Sequence, residues 1–146
     1  MRQILAVLVV TLGYATGLLG FAAAQDATQV PDLKGRWVAI SESIVLGYAI
    51  HHSGHEASQN KPRLSSAEFT LTIEGQDGRR FWGTIESEKH QEPIIGVIGF
   101  DGKTVHMQEH DGSLDGTLAD KDTLEVIFHH STANTIVVSM ERFKRQ

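Results

Sequence analysis

The fold is decided by residues 100–112, which read FDGKTVHMQEHDG. Two Asp-Gly pairs, at 101–102 and 111–112, enclose a run in which Val105 and Met107 alternate with polar residues. Asp-Gly between alternating segments is a strong hairpin pattern, because glycine accepts the positive φ angle of a tight turn without steric cost. The stretch therefore predicts a β-strand that is antiparallel to both of its neighbours.

The same alternation extends outward from this hairpin. It predicts strands over 37–46, 68–74, 80–88, 94–100, 103–110, 113–119, 123–131 and 135–144. Short connections make consecutive strands antiparallel neighbours, and closure of an eight-stranded sheet removes both exposed edges. We therefore expect an all-β fold, an eight-stranded antiparallel up-and-down barrel, with a β-sandwich as the competing architecture. In this scheme 94–100 is buried on both faces, and the last strand turns Ile136, Val138, Met140 and Arg142 to one face.

The N-terminus has the pattern of a secretory signal. Arg2 precedes an uncharged apolar run from Ile4 to Leu19, and Ala22 and Ala24 supply the small residues before a cleavage point. An uncleaved membrane anchor is the alternative, since the run is close to the length of a span. We expect residues 1–24 to be a signal peptide, 25–33 a linker and 34–146 the barrel domain of an exported, periplasmic or secreted protein.

Composition limits the partners of the mature chain. Loss of Arg2 shifts the net charge from −5 to about −6, which disfavours nucleic acid and anionic membrane surfaces. We expect no nucleic acid partner and no stable membrane insertion after cleavage. Without cysteine, the domain depends on packing and sheet hydrogen bonds alone.

Gly35-Arg36-Trp37, at the start of the first strand, resembles the Gly-x-Trp motif of the lipocalins and the wider calycin group, which includes avidins. In that group the tryptophan plugs one barrel end, and a basic residue of the last strand covers its ring. The resemblance implies this role for Trp37 and Arg142, in a calycin-like barrel of a bacterial exported family. It departs from lipocalins in having no disulfide and no room for a C-terminal helix. Too few tryptophans are present for an avidin-type biotin pocket.

The long connection between the first two strands, residues 47–66, is the expected lid over the barrel mouth, because a loop of this length in a compact domain is usually functional or disordered. Its candidate ligand-binding residues are Tyr48, His52, His55 and Arg63. His51, His52, His55 and Glu56 also suggest metal ligands, but the segment has no helical pattern and does not form the zinc-protease motif. We assign no metal and no cofactor to the chain; metal binding by this loop stays open, and a mobile polar loop without a partner is the alternative.

Two further candidates lie on strands. His130 shares a face with Phe128 and is expected to point inward, towards a ligand or as a hydrogen-bonded core residue. Glu109 follows Val105 and Met107 on their face. It either points inward, with a raised pKa, or lies in water beside Asp111, and the pattern favours the second position. Together the two residues are the best acid–base pair that the chain offers.

Three functions remain open from the sequence, which contains no catalytic nucleophile motif. The first, which we favour, is a barrel that binds an apolar or amphipathic small molecule at its mouth. The second is a barrel enzyme of the isomerase or cyclase type. The third is a solid-core interaction protein without a ligand, filled by Leu114, Leu118, Leu124, Val126, Phe128, Ile136, Val138 and Met140. The oligomeric state also stays open, with Trp82 expected to face outward.

Overall fold

The computed structural model describes residues 29–47 and 60–146. Within these ranges the chain forms eight strands: β1 (Gly35–Gly47), β2 (Arg63–Asp77), β3 (Arg80–Ser87), β4 (Gln91–Ile98), β5 (Thr104–Gln108), β6 (Gly112–Asp120), β7 (Thr123–Ser131) and β8 (Thr135–Arg145). Each strand pairs antiparallel with the next, and β8 pairs with β1, so the sheet closes into a barrel. The prediction of an eight-stranded, calycin-like up-and-down barrel is confirmed. The described residues include no helix that could cross a bilayer.

Tight turns set the order of the strands. Gly78 and Gly102 have positive φ angles of 58° and 70°, and both lie in turns that the sequence marks with Asp-Gly. Asp101 accepts hydrogen bonds from the backbone amides of Lys103 and Thr104, which rigidifies the turn into β5. Local turn chemistry of this kind explains why consecutive strands are neighbours all the way round the barrel.

The strand faces correct the sequence scheme in two places. Strand β4 alternates rather than being buried on both sides, since Ile95 and Val97 are exposed between Ile94 and Ile98. Strand β8 buries its odd-numbered residues, so Ile136, Val138, Met140 and Arg142 face outward. Three side chains assigned to a solid core therefore lie outside it. Trp82 faces outward, as predicted, and is half exposed.

One barrel end, where β1, β3, β5 and β7 begin, is plugged. Trp37 is buried there, and its indole Nε1 donates to the carbonyl of Leu33 at 2.9 Å. Leu33, the last residue of the predicted linker, is itself buried, and its amide donates to the side chain of Gln76 at 2.8 Å. We call this the plugged end.

Arg145, rather than Arg142, covers the tryptophan. Its guanidinium carbon is 4.1 Å from the ring centroid of Trp37, whereas Arg142 pairs on the outer surface with Glu125 at 2.8 Å. The prediction for Arg142 is wrong because even-numbered residues of β8 face solvent, and Arg145 continues the inward, odd-numbered series. The role implied by the calycin resemblance belongs to the residue three positions later.

Candidate functional site: the polar mouth

The opposite end, where β2, β4, β6 and β8 begin, is the mouth. Here the inward positions are polar on one side of the barrel: β1 turns Ser41 and Ser43 inward, and β8 turns Ser139 and Glu141 inward. All four side chains are buried. The interior is therefore apolar at the plugged end and polar at these four positions, and nearer the mouth Val45 and Val137 form a small apolar cluster with Phe128.

Glu141 is the centre of this polar wall. Its Oε1 accepts hydrogen bonds from Ser41 Oγ at 2.9 Å and Ser139 Oγ at 2.7 Å, and Ser41 Oγ also lies 2.9 Å from Ser43 Oγ. Its Oε2 is buried and has no hydrogen-bond partner in ranges 29–47 and 60–146. Burial raises the pKa of Glu141, and the two serine bonds oppose that rise only in part.

A second group of carboxylates lies on the facing side. Glu109 follows β5, Glu92 lies on β4 and Asp111 lies in the turn before β6, and their carboxylate oxygens are all within 4.8 Å of one another. Glu109 is only 9% exposed. The expectation that it lies in water at the strand end is therefore wrong, and the inward alternative is the one the structure adopts.

The environment of Glu109 strongly favours its neutral form. Burial, and then the charges of Glu92 and Asp111, raise the pKa of Glu109 to about 8; a hydrogen bond with Asp111 and the charge of Glu141 act in the same direction. A buried carboxylate that faces other carboxylates is stable only with a proton or a positive group beside it. At neutral pH this raised pKa keeps Glu109 protonated, so its carboxyl group can donate a hydrogen bond.

The second Asp-Gly turn brings Glu109 inside. The amide of Glu109 donates to the carbonyl of Gly112 at 3.0 Å, and Gln108 Nε2 donates to the same carbonyl at 2.6 Å. A Cβ on Gly112 would lie 2.2 Å from the ring of Phe128 and 3.0 Å from Glu109 Oε1. Glycine at 112 thus leaves the space that both side chains occupy.

His130 points inward on β7, as predicted, and its side chain is 11% exposed. Its Nδ1 lies 2.8 Å from the carbonyl oxygen of Asp111 and 3.4 Å from Asp111 Oδ2. Because a carbonyl can only accept, Nδ1 carries a proton, and in neutral histidine Nε2 is then the free basic nitrogen. The ring stacks on Phe128, with centroids 6.5 Å apart.

Arg63 is the remaining predicted site residue within the described ranges. Residues 63–66 belong to β2 rather than to the long connection, and Arg63 pairs in register with Val45 at the mouth. The structure therefore places Arg63, Glu109 and His130 at one end of the barrel. Tyr48, His52 and His55, together with His51 and Glu56, lie outside the described residues.

Sequence reasoning missed Glu92, Ser41, Ser139 and Glu141. One signal was available for the last three: once Trp37 is taken as inward, alternation turns Ser41 inward, and β8 pairs Ser139 with Ser43. The apolar series Ile136, Val138 and Met140 obscured that inference.

The outer wall carries a separate groove of about 810 Å³, whose lining includes Trp82, Ile95 and Val97. His106 Nδ1 lies 2.7 Å from Asp115 Oδ1 beside it. Both side chains are more than half exposed, so this pair lacks the burial of the groups at the mouth.

No family model matches the chain, and no curated protein matches it. Among solved structures it is similar to the S-type phycobiliprotein lyase CPES from Guillardia theta, with 11% identity over 78% of this chain and 88% of that one, at a TM-score of 0.32. A similarity at this level identifies neither a family nor a function.

Proposed function

We propose that this chain is an exported barrel that binds a small amphipathic molecule through its mouth. The observation that carries the proposal is the asymmetry of the interior. Trp37 and Leu33 seal one end, while buried Ser139, Glu141 and Glu109 occupy the other half. Stability alone favours apolar side chains there, because each buried carboxylate costs solvation free energy.

An apolar row lies beside these polar groups. Met107, Leu114 and Phe128 are register partners across β5, β6 and β7, and Met107 and Leu114 are buried. Glu109 follows Met107 by two positions on the same inner face. A ligand with a hydrocarbon part and a polar group matches this arrangement better than a purely apolar one.

Binding is tested with Nile red, an uncharged apolar dye, titrated into the purified chain. Ala67 is inward and half-buried on β2 in the mouth half, and its neighbour Glu68 faces outward. We expect saturable binding to the wild-type chain, loss of binding in Ala67→Trp because the indole fills the mouth, and retention in Glu68→Trp. A wild-type chain that shows no saturable change in Nile red fluorescence would contradict the proposal.

Export is supported by the charge, apolar and small-residue pattern of residues 1–24. Fractionation of an expressing bacterial host, followed by N-terminal sequencing, tests it. We expect a chain that starts at Gln25 outside the cytoplasm. A full-length chain retained in the cytoplasmic fraction would contradict export and leave the binding proposal untouched.

A barrel enzyme is the second candidate, favoured by one observation: Glu109 has a pKa of about 8, and His130 is oriented through the Asp111 carbonyl. A neutral acid and an oriented imidazole that both point inward at the mouth are the components of an acid–base pair. Chromatography and NMR spectroscopy of a ligand recovered after incubation separate the candidates, because an isomer has the same mass as the starting compound. An unchanged ligand supports a binder, and an isomerised or cyclised ligand supports an enzyme.

A further inference from the structure

We propose that the mouth binds an organic cation, an amine whose N–H groups donate to the buried carboxylates of Glu109 and Glu141. This inference rests on the proposed function, since it assigns a chemical class to the ligand of the same site. It rests on the positions of the buried carboxylate oxygens and on the apolar side chains beside them.

Acidic groups outnumber basic ones on the inner face of the mouth. Among the described residues, the inward acidic side chains are Glu92, Glu109 and Glu141, with Asp111 in the exposed turn beside them, against Arg63 and His130. The oxygens of Glu92, Glu109 and Asp111 are within 4.8 Å of one another. Like charges this close repel, and a bound cation removes the repulsion.

Glu141 provides an observation that is independent of this group. Its side chain is on β8, on the other side of the interior, and is 7% exposed. Ser41 and Ser139 both donate to Oε1, which leaves Oε2 without a donor in the described part of the chain. Glu109 and Glu141 are both buried on inward-facing positions of one closed barrel, so the two carboxylates share its interior. A buried acceptor there calls for a ligand that carries a hydrogen-bond donor.

The apolar row beside the acceptors favours an organic amine over a bare metal ion. Met107 and Leu114 are buried on the inner face, and Phe128 is the register partner of Leu114. An alkylammonium presents three N–H donors on one nitrogen, and its hydrocarbon chain can pack on Met107, Leu114 and Phe128.

The test uses three probes with one chain length and different charge: octylamine, 1-octanol and octanoate, each titrated calorimetrically into the purified chain at a pH above 8, where Glu109 has released its proton. We expect octylamine to bind about tenfold more tightly than octanol, and octanoate to bind most weakly, since a charge-assisted hydrogen bond changes affinity by about this factor. Glu109→Gln and Glu141→Gln should each reduce octylamine affinity about tenfold and leave octanol affinity unchanged. Glu42→Gln, on the exposed face of β1, is the matched control and should bind all three probes as the wild-type chain does.

The outcomes separate this inference from the proposed function. Equal affinity for the three probes overturns the amine assignment and leaves a binding barrel. No binding of any probe, together with failure of the Nile red titration, overturns both. Stoichiometric binding of Ca²⁺ or Mn²⁺ that is lost in Glu109→Gln assigns the carboxylates to a metal ion and overturns the amine. The comparison of the probes needs only the wild-type chain, so it decides the question even where a variant folds poorly.

Discussion

The guanidinium of Arg145 lies over the ring of Trp37, 4.1 Å from its centroid, at the plugged end of the barrel. The same group donates to the carbonyl of Lys34 at 2.6 Å and to that of Asp32 at 2.7 Å. The last strand therefore holds down the segment that enters the first one. A planar, multidentate cation suits this position because it stacks on the indole and serves several acceptors at once.

Arg145→Ala should lower the free energy of unfolding by about 2 kcal/mol, since it removes a cation–π contact and backbone hydrogen bonds. Arg142→Ala is the matched control. It breaks an exposed ion pair with Glu125 and should cost at most about 1 kcal/mol. Urea unfolding followed by circular dichroism measures both values. Equal losses in the two variants would contradict the assignment of Arg145 as the residue that covers the plug.

Glu109 should make the stability of the barrel fall as pH rises. Its pKa is about 8 in the folded chain and 4.5 ordinarily, so between these values the folded state holds a proton that the unfolded state releases. The stabilising effect of that proton is complete below pH 4.5 and is lost as pH passes 8. Glu109→Gln cannot ionise and should therefore be more stable than the wild-type chain at pH 8, by a few kcal/mol, and nearly equal to it at pH 4.5.

Urea unfolding at pH 4.5, 6 and 8 measures that difference. Glu42→Gln, which removes an exposed carboxylate, controls for the loss of one negative charge. A stability gap between Glu109→Gln and wild type that stays constant over this range would show that Glu109 does not titrate as its surroundings require.

Gly83 marks a close approach of β2 and β3. A Cβ at this position would lie 1.8 Å from the carbonyl oxygen of Thr72, which the sheet holds in place. We expect Gly83→Ala to cost about 3 kcal/mol or more, because backbone rather than a flexible side chain has to move. Gly78→Asn should cost less than about 1 kcal/mol, since the space there is open and asparagine tolerates a positive φ of 58°. A Gly83→Ala chain as stable as Gly78→Asn would contradict the tight packing of these strands.

The barrel was predictable because its determinants are local. Asp101-Gly102 sets a tight turn through the positive φ of Gly102, and alternation sets the strands on either side. Asp111-Gly112 marks the next connection, although Gly112 begins β6 without a positive φ. The orientation of β8 was not predictable from the sequence. Alternation shows that one face of a strand is apolar, but not whether that face points into the barrel. In this strand the inward face carries Ser139 and Glu141, and the outward face carries the apolar residues. A rule that places apolar residues inside fails wherever an interior is built for polar contacts.

The burial of Glu109 depends on residues far away in the sequence. Locally it is a strand-end residue beside Asp111, and that environment predicts exposure. Its burial comes from β4, β6 and β7, which bring Glu92, Gly112 and Phe128 against it. Only the register of the closed barrel reveals these neighbours. The sequence could therefore name Glu109 as a candidate site residue, but it could not predict that its side chain is buried.

Octylamine affinity should rise with pH between 6 and 8. Glu109 holds a proton below its pKa of about 8, and an ammonium can pair with it only after that proton leaves. The probe itself stays charged throughout, as a lysine ammonium with its pKa of about 10.4 does. The affinity gain should approach about tenfold per pH unit and level off above pH 8, as expected for one linked proton.

Calorimetry at pH 6 in two buffers that differ in ionisation enthalpy counts this proton directly, and we expect a release of nearly one per octylamine bound. In Glu109→Gln the release should vanish and the pH profile should flatten, while Glu42→Gln keeps both. Among the described residues, the charged groups that act on Glu109 are Glu92, Asp111 and Glu141, and all three are present in every variant compared. A wild-type affinity that stays level from pH 6 to 8 would therefore mean that the ammonium does not pair with Glu109. The variants differ from the wild-type chain only in the substituted carboxyl group, so no other change could mask the release of the proton.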